Sequence, residues 1–183
     1  MTLTGEHVAV LITGVSAAGK STVAELLAAR FERGVHVRGD TFRRMVVAGR
    51  ADMTAEPSEE AWRQLRLRYS LGAATADAYF EAGFSVVVQD VVIGSVLQEY
   101  VDMIRSRPLC VVVLAPSTDA VAARESERDK IAYGTGGPGI DALDRALRED
   151  TPRLGLWLDT SEQTPEQTVD EIVARAWTEA RIS

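Results

Sequence analysis

The 183-residue sequence contains one cysteine, two histidines and no asparagine. The single cysteine, Cys110, excludes an internal disulfide, and its place in an apolar run indicates a buried, inert thiol. His7 and His36 lie in or beside predicted strands, and so few histidines and cysteines do not indicate a zinc site. Without asparagine, the chain cannot contain the Asn-Lys-x-Asp element with which GTP-binding switches commonly recognise guanine.

Long apolar runs are also missing, since none approaches the ~20 residues that a membrane-spanning helix needs. No basic segment precedes the first predicted strand, so we expect no signal peptide and a cytoplasmic protein. The composition, 46% hydrophobic and 26% charged, is ordinary for a globular protein, and the length predicts one domain over residues 1–183. Because the net charge is −7, nucleic acid is not the expected main partner. We expect a monomer or a homodimer that binds small molecules.

The most informative feature that is present is a segment fitting G-x-x-x-x-G-K-[ST], the pattern of a phosphate-binding loop. An apolar, β-branched run precedes it over residues 7–13, and a helix-forming run follows it over residues 23–31. Strand, glycine loop and helix together let backbone N–H groups and a helix dipole surround a polyphosphate. The predicted nucleotide-binding residues of this loop are Gly14, Val15, Ser16, Ala17, Ala18, Gly19, Lys20, Ser21 and Thr22.

Two residues of this loop are expected to do specific chemistry. Lys20 is expected to reach the β- and γ-phosphates of a nucleoside triphosphate, and the hydroxyl of Ser21 is expected to ligate Mg²⁺. ATP and Mg²⁺ are therefore the predicted cofactors.

The rest of the chain alternates between predicted strands and helices. Further strands are predicted over residues 35–38, 84–89, 109–114 and 154–158. Further helices are predicted over residues 41–49, 58–82, 94–106, 118–130, 140–149 and 165–180. Thr164 and Gln167 have the spacing of a capping box at the start of the last one. This alternation predicts an α/β fold, a doubly wound parallel sheet with helices on both faces. Ligands of such sheets bind at the carboxyl ends of the strands, which is where candidate site residues are sought.

Asp40 follows the second predicted strand. A carboxylate there can take the proton from an acceptor hydroxyl during phosphoryl transfer. The alternative is that Asp40 caps the helix that is predicted to begin at Thr41. Arg43, one turn into that helix, either faces the same opening as a substrate-binding residue or is a solvated surface arginine.

Gln89 and Asp90 follow the third predicted strand. Side chains at this position can orient an acceptor or hold Mg²⁺ through a water. We predict both as substrate-binding residues and Asp90 also as part of the metal site. The alternative for Asp90 is a residue of a helix-initiating turn.

Two further groups of candidates rest on weaker patterns. Arg124 and Arg128 lie on one helix face beside a glycine-rich segment, so they either close over the triphosphate or pair with acidic neighbours. Trp62 and Arg66 are candidates for the acceptor pocket, although aromatic residues at helical spacing more often belong to a core.

Three segments of the chain resemble elements of small P-loop kinases and phosphotransferases, especially the chloramphenicol phosphotransferase-like group, which is related to adenylylsulfate, gluconate and shikimate kinases. The first segment is the phosphate loop. Gly39-Asp40-Thr41-Phe42-Arg43 resembles their Gly-Asp-x-x-Arg element, and Leu158-Asp159-Thr160-Ser161 resembles their adenine loop.

The resemblance implies a P-loop NTPase fold with a five-stranded parallel sheet in the order 2-3-1-4-5 and a small lid at approximately residues 118–150. It also implies that Asp40 is the catalytic base and that Arg124 and Arg128 lie on the lid. By the same resemblance, Arg153 and Thr160 lie near the nucleotide.

These observations predict an ATP-dependent phosphotransferase that moves the γ-phosphate to a hydroxyl of a small molecule, either a metabolite or an antibiotic. One alternative is a nucleoside or nucleotide kinase. The other is a nucleotide-dependent regulatory ATPase that acts on a partner protein. A nucleotide acceptor would need extra arginines for its phosphate, and six arginines are consistent with this alternative: Arg43, Arg44, Arg50, Arg63, Arg66 and Arg68.

Overall fold

The computed structural model describes residues 7–126 and 139–182. The strands are β1 (Ala9–Gly14), β2 (Gly34–Arg38), β3 (Ser85–Gln89), β4 (Leu109–Leu114), β5 (Leu156–Leu158) and β6 (Arg181–Ile182). The α-helices are α1 (Lys20–Ala28), α2 (Gly39–Met45), α3 (Glu59–Glu81), α4 (Val96–Met103), α5 (Thr118–Ser126), α6 (Ile140–Arg145) and α7 (Pro165–Glu179). A π-helical turn, Ala146–Asp150, directly follows α6.

Five strands form a parallel sheet in the order β2-β3-β1-β4-β5, which confirms the predicted fold class and strand order. In the middle of the sheet, Leu11 of β1 lies between Val88 of β3 and Val111 of β4. The sheet also has a sixth strand that the sequence did not predict. Strand β6 is two residues long and pairs antiparallel with β4, and such a short segment carries no periodicity.

The three central strands are apolar because both of their faces are covered. All residues of β1, β3 and β4 are buried. Helices α1 and α7 pack together on one face, and α3 and α4 pack together on the other. This is the burial expected of parallel strands between two helical layers.

Helices α2 and α4 differ from their predicted bounds by at least two residues at each end, and the difference at α2 affects the site. Helix α2 begins at Gly39 rather than Thr41, so Asp40 lies inside its first turn. It ends at Met45, because Val46 is already extended, with ψ 99°. Helix α4 spans Val96–Met103 rather than residues 94–106, since Gly94 has a φ of 78°, which a right-handed helix does not accommodate.

Two helix starts have the caps that their sequences indicate. The Ser58 side chain accepts a hydrogen bond from the backbone N–H of Ala61 at the start of α3. Thr164 and Gln167 form the predicted capping box of α7. Of the helices in the described ranges, none is both long enough and apolar enough to cross a bilayer.

Candidate active site

The phosphate loop joins β1 to α1 with backbone angles that the glycines allow. Gly14 has a φ of 145°, and a Cβ there would lie 2.4 Å from the carbonyl oxygen of Leu114, so a side chain would push β1 away from β4. Gly19 has a φ of 91° with open space around it, so it is required for conformation rather than room. Ala17 also adopts a positive φ, 60°. Three residues with positive φ, Gly14, Ala17 and Gly19, thus turn the chain between β1 and α1.

Lys20, the first residue of α1, places a positive charge at this loop. It is 6% exposed, and its Nζ donates a hydrogen bond of 2.6 Å to the carbonyl oxygen of Val15. A buried ammonium group beside the loop favours an anionic ligand there. The chain thus concentrates positive charge locally despite its net charge of −7.

Next to Lys20, Ser21 connects the loop to the end of β3. Its hydroxyl donates to Gln89 Oε1 over 3.1 Å, and Gln89 itself is buried. Gln89 also faces His36 of β2, whose pKa is lowered first by burial and then by the charge of Arg38. Burial and the charge of Arg38 thus favour the neutral form of the imidazole behind the Gln89 amide.

Asp90 lies on the other side of the sheet end, in a buried ion pair. Its Oδ1 accepts 2.7 Å hydrogen bonds from Arg68 Nη2 and from the backbone N–H of Val91. The Asp90 and Arg68 side chains are 4% and 14% exposed. Burial raises the pKa of Asp90, against the opposing charges of Arg68 and Lys20, and the charge of Asp40 raises it further. Asp90 thus lies within electrostatic reach of both Lys20 and Asp40.

The short segment after β3 is fixed by neighbours on both sides. Thr13 of β1 accepts a hydrogen bond from the N–H of Val92 at 2.9 Å and donates one to its carbonyl oxygen at 2.8 Å. The Tyr69 hydroxyl donates to the carbonyl oxygen of Val91 at 2.8 Å, and its ring stacks on Tyr100 with centroids 4.7 Å apart. This end of β3 is therefore a rigid support for the site.

Asp40 is held by two arginines from its own helix. Its Oδ1 accepts from Arg43 Nε at 2.9 Å and its Oδ2 from Arg44 Nε at 2.6 Å. Burial alone would raise the pKa of Asp40, but the hydrogen bonds and charges of Arg43 and Arg44 outweigh it and hold that pKa below its ordinary value. Arg43 also donates to Asp52 at 2.6 Å. Asp40 does not cap α2, because Arg38 occupies the cap position and the Asp40 oxygens bind these guanidinium groups instead.

On the β5 side, Arg124 of α5 contacts the predicted adenine loop. Its Nη2 donates to the carbonyl oxygen of Thr160 at 2.5 Å, and Ser117 N–H donates to Ser161 Oγ at 2.8 Å. Thr160 is buried, and its hydroxyl has no hydrogen-bond partner among the described residues. Arg153 stacks on the Trp157 ring at 4.1 Å. The roles of Arg124, Arg153 and Thr160 in nucleotide binding stay predictions.

Trp62 and Arg66 line an open groove between α3 and α4, with a volume of about 480 Å³. Arg66 pairs with Glu99 of α4 at 3.0 Å and lies 5.9 Å from the centre of the Trp62 ring. Arg68, two positions further on, points instead to Asp90. Arg66 and Arg68 therefore form ion pairs on different sides of α3, and of the two only Arg68 contacts the end of β3, at Asp90.

Some predictions lie outside the described residues, and some site residues were not predicted. Arg128 and the middle of the predicted lid fall in residues 127–138, which the structure does not describe. The contact of His36 with Gln89 was not predicted, and Arg68 was predicted only as one of six arginines for a nucleotide acceptor. The alternation of side chains along β2 and β3 could have placed His36, Arg38 and Gln89 on one face. No sequence signal pairs Arg68 with Asp90.

The family model AAA_33, an AAA domain, matches residues 10–135. The chain belongs to this family. A search of curated proteins finds no match.

Solved structures show what this AAA domain is similar to. A sugar kinase from Janibacter sp. is 22% identical with a TM-score of 0.64, and the match covers 93% of this chain and 94% of that one. APS kinase from Mycobacterium tuberculosis, solved with AMPPNP and APS, is 15% identical with a TM-score of 0.65, covering 93% and 98%. The Deinococcus radiodurans tunicamycin resistance protein is 16% identical with a TM-score of 0.63, covering 98% and 99%. The predicted similarity to P-loop small-molecule kinases is thus confirmed at the level of the fold.

Proposed function

We propose that this AAA domain is an ATP-dependent phosphotransferase that transfers the γ-phosphoryl group to a hydroxyl of a small molecule. The observation that carries the proposal is the geometry at the end of β3, where Gln89 contacts Ser21 of the phosphate loop and Asp90 lies against Gly39, next to Asp40. A triphosphate held by Lys20 and a hydroxyl held by Asp40 would therefore meet at the same end of the sheet. Transfer between two bound groups needs mainly this positioning and charge neutralisation.

The phosphate loop is the proposed ATP site. Its N–H groups and the N-terminus of α1 would bind the phosphate oxygens, and Lys20 would leave the carbonyl oxygen of Val15 to bind the β- and γ-phosphates. The contact of Arg124 with the carbonyl oxygen of Thr160 would hold the adenine loop in place. Similarity to kinases of different substrates supports this shared donor site more than any particular acceptor.

The residues at the loop also fit Mg²⁺. The Ser21 hydroxyl and Gln89 Oε1 are oxygen donors of the kind that this cation prefers, 3.1 Å apart. Among residues 7–126 and 139–182, three or more His, Cys, Asp or Glu side chains do not come together as a metal cage. This suits an ion that is held chiefly by phosphate oxygens and waters. Bound there, it would supply charge neutralisation for the transferring group.

Asp40 is the proposed general base. In the structure its two oxygens are bound by Arg43 and Arg44, so an acceptor hydroxyl would have to replace one of these guanidinium groups. The carboxylate would then accept the hydroxyl proton while the hydroxyl oxygen bonds to the γ-phosphorus and the bond to ADP breaks. The displaced arginine would remain within reach of the acceptor or of the transferring group.

A nucleotide acceptor has less support. It would need arginines near Asp40 for its own phosphate as well as for the transfer, and each arginine in question would first have to leave a carboxylate. The pairs are Arg43–Asp40, Arg44–Asp40, Arg50–Asp52, Arg63–Glu60, Arg66–Glu99 and Arg68–Asp90. We therefore favour a small hydroxylated acceptor, of which antibiotics and sugars are two classes.

The proposal is tested by incubating the protein with ATP and Mg²⁺ and a panel of sugars, other hydroxylated metabolites, antibiotics, nucleosides and nucleoside monophosphates. Mass spectrometry then reads the addition of one phosphoryl group. We expect a hydroxylated small molecule to be phosphorylated by the wild type and at least ~100-fold more slowly by Asp40→Asn, which keeps the size but not the base. Nucleotide hydrolysis with no transfer to any panel member would contradict the proposal.

A further inference from the structure

The last residue of β3 and the residue after it point in opposite directions. Gln89 lies on the face of the sheet that α1 covers, where its Oε1 accepts the Ser21 hydroxyl at 3.1 Å. Asp90 lies toward α3, where it binds Arg68. Because successive side chains of a strand alternate between faces, this division follows from the strand itself.

The Asp90 carboxylate is held on its own side through one oxygen, while the other is buried without a hydrogen-bond partner among the described residues. Arg68 and the backbone N–H of Val91 both donate to Oδ1. The other oxygen, Oδ2, lies beneath the Cα of Gly39, where a Cβ would be only 1.9 Å away. To turn toward Ser21, Asp90 would have to break a buried ion pair and leave Arg68 without its partner, which is costly.

Gln89, in contrast, is already directed at the loop. It is 7% exposed, so the protein holds its amide in one place, and the nearby Ser21 hydroxyl is the loop's expected magnesium ligand. Its amide oxygen is a neutral acceptor that can hold a metal-bound water. Behind it, Arg38 of β2 donates to His36 Nδ1 at 3.4 Å and pairs with Glu25 of α1.

We propose that Gln89, and not Asp90, is the β3 residue that positions the magnesium ion of the bound nucleotide, by holding one of its waters beside Ser21. This inference rests on the proposed function, since it presupposes a magnesium–nucleotide complex on the loop. It reassigns the metal role that the sequence suggested for Asp90. It also means that β3 offers the ion a neutral oxygen rather than a charged one.

A neutral oxygen has a measurable consequence. A carboxylate near a divalent cation binds it more tightly than an amide does, because opposite charges attract at short range. Gln89→Glu should therefore lower the magnesium concentration needed for nucleotide binding, roughly tenfold by the usual size of effects next to a metal site. Gln89→Met keeps the length but removes the oxygen, so it should raise that concentration at least about threefold.

The experiment measures binding of AMPPNP by calorimetry across a magnesium chloride series, which does not depend on turnover. The set is wild type, Gln89→Glu, Gln89→Met, Asp90→Asn and Gln98→Glu. Asp90→Asn keeps an oxygen for Arg68, and Gln98→Glu adds the same charge on the exposed face of α4. Both should leave the magnesium dependence within about twofold of the wild type.

The outcomes separate the role of Gln89 from the proposed function. A magnesium requirement that follows Gln89 and ignores Asp90 supports the inference, and Gln89→Met decides it should the glutamate variant fail to fold. A requirement that rises in Asp90→Asn and is unchanged in both Gln89 variants overturns it, as does an unchanged requirement in all variants. Absence of AMPPNP binding by the wild type at every magnesium concentration would instead count against the proposed function itself.

Discussion

Asp90 lies directly beneath Gly39, so that a Cβ on Gly39 would come within 1.9 Å of Asp90 Oδ2 and 2.3 Å of its Cγ. The glycine therefore brings the first turn of α2, which carries Asp40, against the buried carboxylate that Arg68 holds. Close approach, rather than backbone freedom, is what this position requires. The end of β3 and the start of α2 consequently form one packed unit, and the geometry of Asp40 depends on it.

Gly39→Ala should disrupt this unit. Its methyl group forces Asp90 or α2 to move, at a cost of about 1–3 kcal/mol in the free energy of unfolding. Because Asp40 moves with α2, we expect phosphoryl transfer to fall by more than the loss of folded protein explains. Denaturant unfolding and transfer rates measure the two effects. Gly139→Ala is the control, since that glycine has a φ of −66° and open space around it. Equal behaviour of the two variants would contradict the packing argument.

The acid side of the pH profile reports on Asp40. Because Arg43 and Arg44 hold its pKa below the ordinary value, the wild-type kcat/KM for the acceptor should show no Asp40 titration near the usual aspartate pKa of about 3.9, only below it. Arg43→Met removes a positive charge and a hydrogen bond, so the Asp40 carboxylate is protonated more easily. The acid limb of the profile, the pH range over which kcat/KM falls as Asp40 is protonated, should therefore move to higher pH. Arg30→Met, which breaks a surface pair with Asp170, should leave the limb in place. A limb unchanged by Arg43→Met would show that another group controls it.

Asp77 predicts an effect on stability that is independent of catalysis. It is buried in α3 and accepts hydrogen bonds from the backbone N–H groups of Arg105 and Ser106 and from the Ser106 hydroxyl at 2.6 Å. Asp77→Ala leaves these donors without a partner and should lower the free energy of unfolding by about 2–4 kcal/mol at pH 7. Asp102→Ala, at an exposed position of α4, should cost less than about 0.5 kcal/mol.

The same residue gives a pH dependence with a definite sign. Burial would raise the pKa of Asp77, but the hydrogen bonds from Ser106 and Arg105 lower it below the unfolded value. A depressed folded pKa contributes stability above the unfolded pKa of about 3.9, and the contribution is lost as the pH falls through the folded pKa. The difference in the free energy of unfolding between wild type and Asp77→Ala should therefore be largest at neutral pH and become smaller as the pH falls. A gap that widened in acid would contradict the assignment.

The sequence predicted the elements whose signals are local. The phosphate loop, the apolar strands and the capping box of Thr164 and Gln167 each depend on neighbouring residues, so pattern and structure agree. The start of α2 was placed two residues late because an aspartate before a helix is typical of a cap, whereas Asp40 binds Arg43 and Arg44 instead.

The parts that the sequence did not predict depend on contacts between distant residues. Arg68 meets Asp90 across 22 positions, and Arg124 meets Thr160 across 36. Such pairs depend on how the helices pack on the sheet, and the local patterns of a single sequence do not determine that packing. The directions of Gln89 and Asp90 were accessible in principle from the alternation of β3, but only once the face covered by α1 is known.

The most direct test of the account is a calorimetric titration of ATP with Mg²⁺ into the wild type and Lys20→Ala. We predict one site in the wild type and at least tenfold weaker binding, of roughly 1.4 kcal/mol or more, in the variant, because Lys20 would bind the phosphates. Arg30→Ala removes a positive charge elsewhere on the protein surface and should bind like the wild type. Absence of binding of any purine triphosphate to the wild type, or equal binding in Lys20→Ala, would contradict the claim that this loop holds a nucleotide for transfer.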